Sequence, residues 1–189
     1  SYLFGDGNKD LGLRRSLDAL LTESPSKTDI SYNLATFYSY KGGVGRTTSL
    51  ALTATYLARK GKTVFVLDCD FEAPGLINFF NTSQADNQRS GVIEYLNDVL
   101  FDQSTSIEQY VQNVEKAYSG SGSINLMSAG NILSEEQDLS CYLEGLARID
   151  LQSTNLIDTF NELFNQIQTT YQPDVILVDS RTGFNNIFG

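Results

Sequence analysis

The amino-acid sequence predicts an α/β domain in which a mainly parallel β-sheet is flanked by helices on both faces. Two apolar runs, at residues 63–67 and 174–179, lead into or end at aspartates, and amphipathic helical segments lie between them. Such runs are typical of parallel strands that are buried on both faces. Their alternation with helices is typical of α/β domains. A chain of 189 residues is long enough for one such domain with its own core.

The predicted elements alternate along the chain. The first strand, helix and second strand form a βαβ unit, for which a right-handed crossover is expected. Helices are predicted where apolar residues recur every three or four positions, and Gly61 is expected to end the first of them. The predicted strands cover residues 35–40, 63–67, 124–127 and 174–179, and the predicted helices cover residues 47–60, 91–101, 106–118, 135–147 and 156–171.

Residues 1–34 are predicted to form an N-terminal extension or linker ahead of a domain that spans residues 35–189. Leucines at helical spacing within residues 13–21 precede a polar break at residues 22–27. This short helix fits two interpretations equally, packing on the edge of the domain or binding a partner.

Composition excludes several classes of function. The net charge of −10 argues against a non-specific nucleic-acid surface. The chain has no histidine, which excludes histidine triads and most metal-ligand sets from this segment. Its two cysteines, Cys69 and Cys141, suggest neither a disulfide framework nor a zinc site. No apolar run reaches the ~18–20 residues of a membrane helix, and no secretion signal is visible, so we expect a cytoplasmic protein.

The strongest functional signal is the glycine-rich turn between the first strand and the first helix. Gly42, Gly43 and Gly45 allow the backbone to bring successive N–H groups close to phosphate oxygens. The helix that follows points its N-terminus at the same anion. Thr47 is placed to offer its hydroxyl to Mg²⁺, and Arg46 to contact the outer phosphates. The whole turn has the sequence Lys41-Gly42-Gly43-Val44-Gly45-Arg46-Thr47-Thr48.

Three aspartates lie at the ends of the buried strands. Asp68 and Asp70 lie at the C-terminal end of the second strand, and Asp179 lies at the end of a later one. Because ligands of open α/β sheets bind beyond the carboxyl ends of the strands, these side chains are predicted to lie near the turn. Each of them also fits a simpler role as a turn former or helix cap. Cys69, between two of them, is predicted to point into the core as an inert thiol.

The turn resembles the deviant phosphate loop of the MinD/ParA group of P-loop ATPases. The usual loop begins with glycine and has lysine before Ser or Thr, whereas these positions hold Tyr40 and Arg46. The deviant form, Lys-Gly-Gly-x-x-Lys-Thr, matches everywhere except at Arg46, and the variant Lys-Gly-Gly-Val-Gly-Arg resembles a bacterial subgroup. The resemblance covers residues 35–183. It implies a three-layer P-loop fold, with its C-terminal part missing from this sequence, and ATP and Mg²⁺ as cofactors.

The resemblance also implies which residues bind the nucleotide. Lys41 would reach across a homodimer to the nucleotide of the other subunit, much as an arginine finger does. Residues 41–48 would hold the phosphates, and Gly183 would let the backbone approach the γ-phosphate. Arg181 departs from the small residue or proline that is more usual there. Two roles stay open for it, adding positive charge near the phosphates or pairing with Asp70 or Glu72.

Metal binding and catalysis are implied for a second set of residues. Thr47, Asp68 and Asp179 would hold the magnesium ion, the aspartates through bound water. Asp70 would position the attacking water, and Glu72 is a less favoured candidate for that role. Phosphoryl transfer depends on this kind of positioning and charge neutralisation rather than on covalent help from the protein.

Two functions follow from the resemblance. The first is an ATP- and Mg²⁺-dependent molecular switch, in which ATP brings two subunits together and slow hydrolysis separates them to control a partner protein or a further domain. The second is a nucleotide-sensing regulatory module, for example in signalling or antiviral defence, that binds ATP with little hydrolysis because arginine replaces lysine. A bacterial tyrosine kinase and a DNA partition factor are disfavoured, since the ten tyrosines are scattered and the net charge is −10.

Overall fold

A computed structural model describes residues 32–39, 41, 43–83, 91–101, 106–132, 136–149 and 154–180. Most of the predicted N-terminal extension therefore lies outside the described residues, as do Tyr40, Gly42, Arg181 and Gly183. The strands are β1 (Leu34–Tyr38), β2 (Thr63–Cys69), β3 (Thr82–Ser83), β4 (Gln112–Val114), β5 (Ser123–Met127) and β6 (Val175–Ser180). The helices are α1 (Arg46–Arg59), α2 (Val92–Leu100), α3 (Lys116–Ser119), α4 (Glu136–Arg148) and α5 (Thr154–Tyr171).

The described strands form one sheet in the order β1-β6-β2-β5-β4-β3. Strands β1, β6, β2 and β5 are parallel, and β4 and β3 are antiparallel to their neighbours. The prediction of a mainly parallel sheet is confirmed. The register places Asp68 of β2 beside Asp179 of β6, and Tyr38 of β1 beside Ser180. The carboxyl ends of three strands therefore meet at the edge of the sheet where the glycine-rich turn begins.

Helices cover both faces of the sheet, and each face has its own apolar cluster. Because successive strand residues point to opposite faces, β2 supplies both clusters in turn. Val64 and Val66 pack with the buried residues of α1, while Phe65 and Leu67 pack with those of α2, α4 and α5. Each fully buried side chain of this size contributes about 1.5–3 kcal/mol relative to exposure. The α1 helix is thus fixed against the sheet directly below the turn.

Residues 106–118, predicted as one helix, have a different structure, and that prediction was wrong. The segment contains a 3-10 turn at Ile107–Tyr110, strand β4 and the short helix α3. Its buried residues Ile107, Tyr110 and Val114 have the spacing of a helix face. Strand β4 instead pairs with β5, Gln112 opposite Leu126 and Asn113 opposite Asn125. These long-range hydrogen bonds override the local pattern, which contains no information about the partner strand.

The other predicted elements are confirmed, with boundaries within two residues of those observed. Strand β2 extends to Cys69, so Asp68 lies at its C-terminal end and Asp70 directly follows it. Gly61 adopts a φ of 86° just past the end of α1, as its predicted role in ending the helix requires. Within the described ranges, every helix is too short or too polar to span a bilayer.

Candidate functional site

The glycine-rich turn joins the end of β1 to the start of α1. Gly43 and Gly45 have φ angles of 73° and 82°, a left-handed conformation that other residues rarely adopt. Gly45 is the N-cap of α1, whose first turn holds no acidic residue and receives no side-chain cap among the described groups. The partial positive charge at this helix end is therefore available to an anion.

An open cleft of about 360 Å³ lies at this end of α1. It brings together the described part of the predicted loop and Asp70 from the end of β2. Sequence analysis missed two residues of its wall. One of them, Ser39, donates from its hydroxyl to the carbonyl of Lys41 at 3.0 Å, and its place two residues before the loop is a signal that could have identified it. The cleft is lined by Ser39, Lys41, Gly43, Val44, Gly45, Arg46, Thr47, Thr48, Asp70 and Ala73.

The guanidinium of Arg46 lies between two carboxylates. Its Nη2 donates to Asp70 and its Nε donates to Asp179, while Nη1 contacts Ser39 Oγ at 3.4 Å. Only 10% of the Arg46 side chain is exposed. Burial lowers the pKa of Arg46, but the charges of Asp179 and Asp70 outweigh burial and raise the pKa above its ordinary value. The group remains a cation held on two anions, and its predicted contact with phosphates stays a prediction.

Thr47 and Asp179, two of the predicted magnesium ligands, are in direct contact. The Thr47 hydroxyl donates to Asp179 Oδ2 at 2.6 Å, and Oδ1 of the same carboxylate accepts from Arg46. Burial raises the pKa of Asp179, and the bond from Thr47 and the charge of Arg46 oppose this rise. Both oxygens of Asp179 are thus engaged by the two residues that open α1.

Asp68, the third predicted ligand, is fully buried beside Asp179. Its oxygens accept the backbone N–H groups of Asp70 at 3.1 Å, Gly75 at 3.3 Å and Leu76 at 3.1 Å. Burial, followed by the negative charge of Asp179, raises the pKa of Asp68 to about 7. In this structure these three hydrogen bonds to Asp68 hold the segment after β2 against the end of the strand. Its part in holding a metal stays a prediction.

The protein groups at this site can hold a magnesium ion only together with other ligands. Within the described residues, no three Asp, Glu, Cys or His side chains converge as a metal cage. Magnesium is commonly bound by one or two protein oxygens, completed by phosphate oxygens and water. The neighbouring oxygens of Thr47 and Asp179 fit that donor set.

A third residue that sequence analysis missed, in addition to Ser39 and Ala73 of the cleft wall, contacts the segment after β2 from the far side. Tyr142 of α4 donates from its hydroxyl to the carbonyl of Phe71 at 2.9 Å. Nothing in the sequence signals this contact, because 71 residues separate the two partners. Nearby, Cys69 is buried as predicted, and burial raises the pKa of its thiol well above the ordinary value.

Comparison with known proteins gives both sequence and structural relatives. A family described as an AAA domain matches residues 32–187. An iron-sulfur cluster carrier protein of Clostridium perfringens (strain 13 / Type A) is 40% identical over 82 residues, which are 41% of this chain and 29% of that protein. A putative plasmid partition protein of Borrelia burgdorferi B31, solved bound to AMPPNP, is similar with a TM-score of 0.55 and 19% identity, over 84% of this chain and 59% of that one. A cobyrinic acid a,c-diamide synthase of Mycobacterium smegmatis, solved with an ATP analogue and magnesium, has a TM-score of 0.51 and 17% identity, over 82% and 55% of the two chains.

These similarities differ in what they establish. The chain spans less than a third of the carrier protein's length and between 55% and 59% of the two structures. Structural likeness at such low identity shows the fold alone, whereas the family match extends over most of the chain. The chain therefore belongs to the AAA-domain family, and its predicted resemblance to the MinD/ParA group of P-loop ATPases is confirmed.

Proposed function

We propose that the protein is an ATP- and Mg²⁺-dependent molecular switch of the cytoplasm, with slow hydrolysis coupled to dimerisation and to control of a protein partner or a further domain. The observation that carries this proposal is the uncapped start of α1 beneath a left-handed glycine bend. Bound ATP would supply the phosphoanhydride bond, and Mg²⁺ would neutralise charge on its phosphates.

Different groups of the cleft would bind the phosphates and the magnesium ion. Backbone N–H groups of residues 43–48 and the positive end of α1 would bind the phosphate oxygens. Thr47 and Asp179 would hold the magnesium ion, since their oxygens are already hydrogen-bonded to each other at 2.6 Å. Gly42 and Gly183, which lie outside the described residues, are proposed to complete the cradle.

Hydrolysis would depend on whether the Arg46 side chain contacts Asp70 or the phosphates. Asp70 is proposed to orient the attacking water, and its carboxylate is paired with Arg46 in this structure. A carboxylate whose oxygen accepts a bond from a guanidinium is less free to bind and orient a water molecule. Arg46 must therefore move from Asp70 to the phosphates before Asp70 can act.

The contact between Arg46 and Asp70 also favours the second candidate function, a nucleotide-sensing module that binds ATP with little turnover. If Arg46 keeps its bond to Asp70 when ATP is bound, the site binds nucleotide without orienting water. The two functions share the cleft and differ only in the partner of Arg46. Tight ATP binding without phosphate release, even in a dimer, would support the sensing module.

Dimerisation is tested through Lys41, which is exposed at the wall of the cleft. In the proposed sandwich, Lys41 reaches the phosphates bound by the other subunit. Sedimentation velocity of the protein with ATP and Mg²⁺ is expected to show a dimer that Lys41→Ala abolishes. The matched control is Lys60→Ala, an exposed lysine at the other end of α1, which should still dimerise. A monomer under all conditions would remove the sandwich from the proposal.

A further inference from the structure

The turn that carries Asp70 is attached to the helical layer on the opposite face of the sheet through Tyr142. We propose that Tyr142 of α4 is a positioning residue, which fixes the orientation of the turn and hence of the Asp70 carboxylate. The inference rests on the proposed function for the meaning of Asp70. It predicts that displacing α4 alters turnover without altering the phosphate cradle.

The bond from Tyr142 reaches the centre of the turn. The N–H of Ala73 donates to the carbonyl of Asp70 at 3.2 Å and to its Oδ1 at 3.3 Å, which closes a four-residue β-turn. Phe71 and Glu72 are the central residues of that turn, so the carbonyl of Phe71 belongs to its central peptide. Rotation of this peptide is the main freedom of a β-turn whose ends are fixed. The hydroxyl of Tyr142, at 2.9 Å, holds that peptide in one orientation.

Tyr142 is itself held firmly enough to act as an anchor. Its side chain is buried, and its ring lies against Gly130, where an added Cβ would come within 2.6 Å of Cδ2. The loop around Gly130 is tied to the start of α2, because Val92 N–H donates to Ser128 at 2.9 Å and Ile93 N–H donates to Ala129 at 3.0 Å. Burial raises the pKa of Tyr142 above its ordinary value, so the hydroxyl keeps the proton that it donates.

Three elements thus hold the turn. Asp68 of β2 accepts the N–H of Asp70, Arg46 of α1 binds its carboxylate, and Tyr142 of α4 holds the next peptide. Asp68 and Arg46 also contact Asp179 or its strand, so they belong to the proposed nucleotide site. Tyr142 lies on the other face of the sheet, from which a partner or a further domain could reach the turn without entering the cleft.

Tyr142→Phe tests the inference, because it removes the hydroxyl and leaves the ring on Gly130. The matched control is Tyr95→Phe, a fully buried tyrosine of the same apolar cluster whose hydroxyl has no partner among the described residues. Amide hydrogen exchange of residues 70–76, without nucleotide, should become about fivefold to tenfold faster in Tyr142→Phe, as expected for the loss of one buried hydrogen bond. It should not change in Tyr95→Phe.

Turnover gives the second measurement. In Tyr142→Phe, the rate of phosphate release should fall about tenfold, while the dissociation constant for ATP–Mg²⁺ stays within about twofold of the wild-type value. Gly130→Ala, whose added Cβ would displace the Tyr142 ring, should reproduce both the faster exchange at residues 70–76 and the slower phosphate release. Unaltered exchange at residues 70–76, or faster exchange throughout the protein, would overturn the inference. If the wild-type protein binds no ATP, the proposed function fails, and the exchange comparison still decides the role of Tyr142.

Discussion

The guanidinium of Arg46 donates through Nε to the carboxylate of Asp179, the residue that is proposed to hold magnesium. The second oxygen of Asp179 accepts from Thr47 at 2.6 Å. The first two residues of α1 therefore satisfy a carboxylate that is itself almost fully buried, with 1% of its side chain exposed. Because a buried carboxylate without partners is costly, any cation that arrives here must replace the contacts that it displaces.

Replacing Arg46 by lysine tests whether the guanidinium limits hydrolysis. A single ammonium cannot bridge Asp70 and Asp179 as the planar guanidinium does, so Asp70 should be released to orient water. We expect phosphate release to rise by about tenfold and ATP–Mg²⁺ affinity to stay within about threefold. The control is Arg59→Lys on the same helix, whose side chain donates to the carbonyls of Ala117 and Tyr118. Phosphate release that stays equal or falls in Arg46→Lys would show that Arg46 does not restrain Asp70.

Thr47→Val removes the hydroxyl that is proposed to contact magnesium and keeps the shape of the side chain. We expect ATP affinity in the presence of Mg²⁺ to weaken by about tenfold, with little change when the metal is chelated. Thr55→Val is the control, because its hydroxyl donates to the carbonyl of Ala51 at 2.9 Å on the same helix, away from the cleft. Equal weakening with and without metal would argue against a magnesium role for Thr47.

Alanine variants of two glycines with similar backbone conformations distinguish the effect of backbone strain on stability from the effect on ligand binding. Gly45 and Gly61 have φ angles of 82° and 86°, so an alanine at either position should lower the free energy of unfolding by about 1–2 kcal/mol. Gly45 lies at the cleft, whereas Gly61 follows the opposite end of α1 and does not line the cleft. Urea unfolding should show similar losses, and calorimetry should show weaker ATP binding only for Gly45→Ala. Unchanged ATP binding by Gly45→Ala would show that the phosphate site is not at this turn.

The pKa of Asp68 predicts a pH dependence of stability. Burial raises this pKa from its ordinary value of 3.8 to about 7. Between these pH values the folded protein binds more protons than the unfolded chain, so the contribution of Asp68 to stability is complete below the lower value and is lost as pH rises through about 7. The thermal unfolding temperature should therefore fall more steeply between pH 4 and pH 8 for the wild type than for Asp68→Asn. Parallel curves would mean that Asp68 is ionised throughout.

The strands and the loop could be predicted because their signals are local. The apolar run of β2 is buried on both faces, and Gly43 and Gly45 of the turn occupy left-handed positions that the sequence itself indicates. Strand β4 could not be predicted, because it depends on pairing with β5, a separate segment about which the apolar pattern of residues 106–118 contains no information. Apolar spacing within one segment does not distinguish a helix from a short turn followed by a strand.

The composition of the site was predictable, but its contacts were not. Residues Lys41 to Thr48 and Asp70 were assigned by motif, and those that are described line one cleft. The pairing of Arg46 with Asp70 and Asp179 depends on the distance between α1, β2 and β6, which no spacing in the sequence encodes. The contact of Tyr142 with Phe71 depends in the same way on where α4 packs.

Calorimetric titration of the protein with ATP, with and without Mg²⁺, tests the central claim most directly. The glycine bend and the start of α1 are predicted to bind the triphosphate, so saturable heat with one nucleotide per chain is expected, with tighter binding when the metal is present. An absence of magnesium-dependent binding of any purine nucleotide by the folded protein would contradict the account.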